Sequence, residues 1–61
     1  MSAKFELFKG KNGEYYFRLK APNGEVIADS EGYRSKAGAR NGIDAVKKYA
    51  ASAEVVELNP A

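Results

Sequence analysis

Ser30 and Ser35 are the candidate nucleophiles of this chain, and neither has a histidine to activate it, because the sequence contains none. A hydroxyl is a weak nucleophile until a neighbouring base takes its proton. Lys36 follows Ser35 directly, but it reads more simply as a surface residue beside a helix cap. Asp29 and Glu31 stand close together near a strand end. Paired carboxylates can move protons or hold a hard cation, yet two acids flanking a turn are more commonly just solvated. Cysteine is absent, which removes thiolates and disulfides, and the lack of histidine removes the commonest transition-metal ligand. The stretch "GKNG" lacks the strand-to-helix context and spacing of a phosphate-binding loop. The expectation is therefore no catalytic, cofactor-binding or metal-binding residue, no cofactor, and no enzyme.

A second kind of chemistry is recognition. Phe8 and Tyr16 are interleaved with Arg18 and Lys20, and Lys4, Lys9 and Lys11 add charge nearby. Aromatics among basic residues on an open sheet can stack and hold single-stranded nucleic acid. Against this, ten basic residues face eight acidic ones, a net charge of +2, where a dedicated binder shows a stronger excess. Glu6 and Glu25 dilute the positive field, and Phe8, Tyr16 and Ile27 can equally form a cross-strand cluster that stiffens the sheet. Nucleic acid is thus the alternative partner and not the favoured one.

The elements that must position these residues follow from pattern and turn chemistry. Residues 4–9, "KFELFK", largely alternate and read as a strand. Asn12-Gly13 then gives the strongest short hairpin signal. Residues 14–20, "EYYFRLK", are a second strand, "APNG" a second turn with Pro22 and Gly24, and residues 25–29, "EVIAD", a short third strand. "SEGY" breaks the pattern. Ser35 caps a helix that runs to about Ala51, and residues 53–58, "AEVVEL", read as a fourth strand before a tail at 59–61. A three-residue loop at Lys11, Asn12 and Gly13 pairs Leu7 with Phe17 and Phe5 with Leu19. A four-residue loop from Ala21 to Gly24 pairs Leu19 with Val26 and Phe17 with Ala28. Paired residues share a face. Phe5, Leu7, Phe17, Leu19, Val26 and Ala28 then line the core face, with Tyr15 at its rim. Glu6, Phe8, Tyr16, Arg18, Lys20 and Ile27 line the outer face.

The helix carries two glycines, Gly38 and Gly42, each costing roughly 1 kcal/mol against Ala in a helix interior. On a wheel of about 100° per residue, Ala39, Ile43, Val46 and Ala50 form the sheet-facing stripe. Gly38, Gly42, Ala45 and Tyr49 form a second stripe about a quarter turn away. Lys36, Arg40, Asp44 and Lys47 lie opposite. Small residues let two backbones approach closely. With one helix per chain, the neighbour is expected from a second copy across a two-fold axis. A chain of 61 residues also buries only about 60% of its unfolded surface, so it gains from assembly. The fold expected is α+β: a β-β-β-α-β unit with an antiparallel-type sheet, one helix on one face, and two units joined as a dimer.

The opening F-x-x-F-x-x-x-x-G-x-Y-x-F-R-L-K-A, the pairs Gly32-Tyr33 and Ser35-Lys36, and Gly42-Ile43 followed by Val46-Lys47-Lys48 resemble the YegP-like family of small bacterial proteins, from Phe5 to Leu58. The resemblance implies β3-α-β units, two of which form one sheet with helices on one side. A single unit such as this one is then expected to dimerise. The resemblance supplies no catalytic residue. One domain is expected over residues 1–61, ordered over about 4–58. No apolar run is long enough for a signal segment or a membrane span, so the sequence points to a soluble, cytoplasmic, homodimeric interaction protein without a membrane partner.

Overall fold

In the computed structural model, which describes residues 2–59, three strands form one antiparallel sheet in the order β1-β2-β3. They are β1 (Lys4–Lys9), β2 (Tyr15–Lys20) and β3 (Val26–Asp29), and a single helix, α1 (Lys36–Tyr49), follows. Met1 and residues 60 and 61, the end of the expected tail, lie outside the described residues.

The first hairpin follows its turn chemistry. Gly10 N–H donates to Glu14 O at 2.7 Å and Gly13 N–H to Gly10 O at 3.0 Å. Gly13 takes φ 86°, a left-handed value that a glycine adopts without steric cost. Asn12 Oδ1 accepts from Glu14 N–H at 3.0 Å, stiffening the loop. The register is then the expected one, with Phe5 opposite Leu19 and Leu7 opposite Phe17.

The second hairpin departs from expectation. Ala21 N–H donates to Glu25 O at 2.8 Å and Gly24 N–H to Ala21 O at 2.9 Å, so the loop spans three residues, not four. Lys20 therefore pairs with Val26, Leu19 with Ala28 and Arg18 with Asp29, and a bulge between Leu19 and Lys20 absorbs the extra residue, Ile27. The expected pairs of Leu19 with Val26 and Phe17 with Ala28 do not form. Val26, paired with Lys20, belongs to the outer face, not the core.

Beyond β3 the chain stays hydrogen-bonded to β2. Ser30 N–H donates to Phe17 O at 2.9 Å, and the Ser30 hydroxyl accepts from Phe17 N–H at 3.0 Å, standing in for a ladder carbonyl. Tyr15 and Tyr33 then exchange both backbone bonds at 2.8 Å. The "SEGY" break is thus an irregular continuation of the sheet edge, and it delivers the Tyr33 ring to the core face.

Ser35 caps α1 as expected, its hydroxyl accepting from Gly38 N–H at 2.9 Å. Lys47 and Lys48 in the last turn complement the helix dipole. The helix ends two residues earlier than expected, and a 3-10 turn, Ala50–Ser52, follows. The helix crosses β2 and β1 but does not reach β3. Phe17 is the centre of what it covers: its ring lies edge-on to Phe5 and stacked on Tyr33, both at 6.0 Å between centroids. Among the described residues, only Phe17 and Ala39, at 7% and 0% exposure, are buried apolar residues.

The expected fourth strand is the largest difference. Residues 53–58 join no sheet. Ala53 opens the segment in extended backbone, φ −69° and ψ 133°, yet Val55, Val56 and Leu58 are 92%, 65% and 86% exposed. The segment has the composition of a strand and pairs with neither edge of the sheet.

Candidate functional site

Two surfaces are candidates: the outer face of the sheet, and the apolar surface formed by the helix and the C-terminal segment. On the outer face the register sets Lys4 against Lys20, Glu6 against Arg18 and Phe8 against Tyr16. Glu6 is the hub, with its carboxylate 2.7 Å from Arg18 Nε, 3.6 Å from Lys20 Nζ and 3.8 Å from Lys4 Nζ. The hydrogen bond from Arg18, aided by the charges of Lys20, Arg18 and Lys4 and opposed by some desolvation, holds the Glu6 carboxyl below its ordinary value. The Arg18 guanidinium also lies 4.7 Å from the Phe8 ring centre. Phe8 stacks on Tyr16 at 5.8 Å between centroids, and the Tyr16 hydroxyl accepts from Asn12 Nδ2 at 2.7 Å.

The structure thus brings Phe8, Tyr16, Arg18 and Lys20 together, as the sequence indicates, but it engages them with one another. Arg18 Nε donates to Glu6 and the guanidinium lies over Phe8, and the Phe8 and Tyr16 rings stack on each other. Glu6 is the residue whose role the sequence reading underrated. Its signal is positional: it is the acid directly opposite Arg18 between two lysines.

The hydroxyls are similarly occupied. Ser30 accepts from Phe17 N–H and donates to Glu31 O at 2.8 Å, and Ser35 is the helix cap. Among the described residues no three acids, histidines or cysteines converge to hold a metal ion.

The helix stripe needs a correction. Gly42 does not look out over a bare surface; a Cβ there would stand 2.5 Å from Tyr33 Oη and 2.9 Å from Tyr33 Cζ and Phe17 Cε2. The close approach that requires this glycine comes from the chain's own Tyr33 and Phe17. Gly38 is less confined, with Ser35 Oγ 3.2 Å from the same ideal Cβ. Ala45 and Tyr49 are exposed, and Lys48 Nζ lies 5.3 Å over the Tyr49 ring. Tyr33 was missed because a wheel shows which way a helix faces and not which ring arrives from outside it.

A three-stranded antiparallel sheet with one helix across its first two strands, and an unpaired strand-like end, defines a small α+β module. The chain belongs to the family described as a domain of unknown function, DUF1508, whose pattern matches residues 11–57. It is 55% identical over 58 residues to a UPF0339 protein of Treponema denticola, covering 95% of this chain and 100% of that one. It is 50% identical over 54 residues to the UPF0339 protein YegP of Yersinia pestis, covering 88% of this chain but 48% of YegP. The solution structure of a protein from Haloferax volcanii superposes with a TM-score of 0.85 at 44% identity, covering 92% of this chain and 95% of that one. The YegP-like resemblance is therefore right. Its description as bacterial is too narrow, since archaea carry the fold and sequence too.

Proposed function

We propose that this chain is a non-catalytic interaction module that assembles with a second copy of itself. The observation that carries the reading is residues 53–58, which expose Val55, Val56 and Leu58 and pair with no strand, beside a domain that among the described residues buries only Phe17 and Ala39. Removing Val55, Val56 and Leu58 from water is worth about 1.5–3 kcal/mol each, and an unpaired strand completes its hydrogen bonds by joining a sheet edge. Each copy donating its segment to the other closes a two-fold assembly. YegP, of which this chain spans about half, has room for two such units in one chain, which supports the same arrangement. Ala45 and Tyr49, exposed on the helix beside the half-buried Gly38, extend the contact. Gly42 is already filled by its own Tyr33.

Light scattering tests this directly. The wild type is expected at the mass of two chains, and Val56→Lys with Leu58→Lys at the mass of one. A monomeric wild type at high micromolar concentration overturns it. No observation favours nucleic-acid binding as a second reading, because Arg18, Phe8 and Tyr16 are committed within the sheet.

A further inference from the structure

Asn-Gly occurs at three places in the chain: Asn12-Gly13, Asn23-Gly24 and Asn41-Gly42. Each pair holds the same chemistry. The backbone nitrogen of the glycine gives up its proton to solvent base and attacks Cγ of the asparagine. An N–Cγ bond forms, the Cγ–Nδ2 bond breaks, and ammonia leaves with a proton from solvent. Water then opens the succinimide ring at either carbonyl, giving aspartate or isoaspartate. Glycine has no Cβ to obstruct the ring closure and adopts the backbone angles it needs. We propose that Asn23 is the deamidation site of this protein, reacting ahead of Asn12, with Asn41 last. The inference is independent of the assembly reading, since none of the three pairs belongs to residues 53–58.

Ring closure needs a free glycine nitrogen and a side-chain amide able to swing onto it. The fold denies both at each pair, but the structure that must open differs. Asn41-Gly42 lies within α1, where the Gly42 N–H belongs to the helix ladder. That glycine is also packed against Tyr33 and Phe17. Reaction there waits until the helix leaves the sheet, which is close to global unfolding.

The two loops are locally alike. Gly13 N–H donates to Gly10 O, and Gly24 N–H to Ala21 O. Asn12 Oδ1 accepts from Glu14 N–H, and Asn23 Oδ1 from Glu25 N–H, both at 3.0 Å. What holds the other end of each amide separates them. Asn12 Nδ2 donates to Tyr16 Oη, and the Tyr16 ring is fixed from outside the loop. It stacks on Phe8, and ideal Cβ atoms at Gly10 and Gly32 would stand 2.7 Å and 3.2 Å from it. Asn23 Nδ2 donates to Glu25 Oε1 at 2.7 Å. A carboxylate is the stronger acceptor, but it belongs to the same exposed residue whose N–H holds Oδ1, so one opening of the loop releases both ends. The strands behind the loops differ too. The first loop closes six residues of unbroken register. The second closes the four residues of β3, all exposed and interrupted by a bulge, and α1 does not reach them. A hairpin with so little packed upon it opens at the lowest free energy.

The product weakens its own loop. Where Asn23 donates to Glu25, an aspartate presents a second carboxylate, and like charges repel. Isoaspartate also adds a carbon to the backbone of a loop whose length sets the register. Deamidation therefore loosens β3, leaves the first hairpin in place and lowers the net charge from +2 by one.

The test is to hold the folded protein at pH 8 and 37 °C and follow each site by peptide mapping. Mass spectrometry reads the change of amide to acid, and chromatography separates aspartate from isoaspartate. Asn23 is expected to convert at least fivefold faster than Asn12, with Asn41 slowest, and the three rates should converge in denaturing urea. Tyr16→Phe, which removes the acceptor from Asn12 Nδ2, should speed Asn12 and leave Asn23 unchanged. In Asn23→Asp the Ser30 amide, bonded to Phe17 O, should exchange its hydrogen faster than in wild type while the amides of β1 keep their protection. Equal rates in the folded chain, or Asn12 or Asn41 ahead, overturn the proposal. So does an order that persists in urea, because the neighbours in sequence and not the fold would then set it.

Discussion

Residues 4–9, "KFELFK", and residues 53–58, "AEVVEL", have the same length and similar apolar content, yet only the first is a strand. β1 is followed by a turn that folds the chain straight back, so β2 meets it in register before any long loop has to close. Residues 53–58 follow a helix and a 3-10 turn, and the chain beyond them is not returned along either edge of the sheet. Strand propensity describes how well a residue fits a pleated, half-buried surface, and it acts only where such a surface is supplied. The difference between the two segments is the presence of a partner, and that is the basis for assigning the second one a partner in another copy.

The comparison breaks most visibly at Phe17 and Val55. Phe17→Ala removes the ring between Phe5 and Tyr33 and should cost about 3–5 kcal/mol, enough to unfold a domain this small at any concentration. Val55→Ala should cost stability only while the chain is assembled. Its effect on the urea midpoint should fade on hundredfold dilution, because folding and association are linked by mass action. A Val55→Ala penalty that persists unchanged at nanomolar concentration would mean the segment packs on its own domain.

What the sequence made legible, and what it hid, follows the same line. The first hairpin could be read because Lys11-Asn12-Gly13 leaves one sensible loop length. The second hairpin uses the same chemistry: Asn23 Oδ1 accepts from Glu25 N–H at 3.0 Å and Gly24 takes φ 90°. The repeated Asn-Gly-Glu at 12–14 and 23–25 could have set both loops alike; the four-residue loop displaced the register by one residue at Lys20, and the bulge displaced it by a second beyond. The helix and its cap were local and legible. The reason for Gly42 was not, since it lies in a ring brought from Tyr33 by an irregular edge. Of the outer face, the membership was legible and the pairing was not, because the capacity of Arg18 to bind a partner depends on what Glu6 already takes from it.

Ser30 sharpens the point about irregular edges. Its hydroxyl replaces a ladder carbonyl at Phe17 N–H, so Ser30→Ala leaves that donor unpaired beside the core. The expected loss is about 1–3 kcal/mol, read by urea unfolding. Ser30→Thr, which keeps the hydroxyl, should recover most of it. Equal stability of Ser30→Ala and wild type would show that another group satisfies the amide.

Gly42→Ala tests the corrected helix face with a smaller effect. Propensity alone favours alanine by about 1 kcal/mol. Here the added methyl meets Tyr33 and Phe17 well inside contact distance, and overpacking of that kind costs about 1–3 kcal/mol. The net change should be destabilising or near zero. Gly38→Ala, beside the more yielding Ser35 hydroxyl, should be the better tolerated of the two. Thermal melts of both variants at one low concentration decide it. A stabilised Gly42→Ala would return that glycine to an open surface.

The smallest expected effect concerns Glu6, and its sign can be worked out. Arg18 and the two lysines hold the carboxyl below its ordinary value in the folded chain, so folding favours the ionised form. The stabilisation is fully present above the unfolded value of about 4.3 and is lost as pH falls through the lower folded value. Glu6→Gln removes the ionisable group, so wild type should exceed it in stability at pH 7. The gap should narrow as pH falls below the ordinary carboxylate value and the wild-type carboxylate takes up its proton. One-molar salt at pH 7 should narrow it too, because the four side chains are partly exposed and such pairs are screened. A gap that stays constant from pH 7 to pH 3 would mean that Glu6 stabilises the sheet through its shape and hydrogen bonding rather than its charge. The outer face would then be neutral in effect and its cations free for an anionic partner.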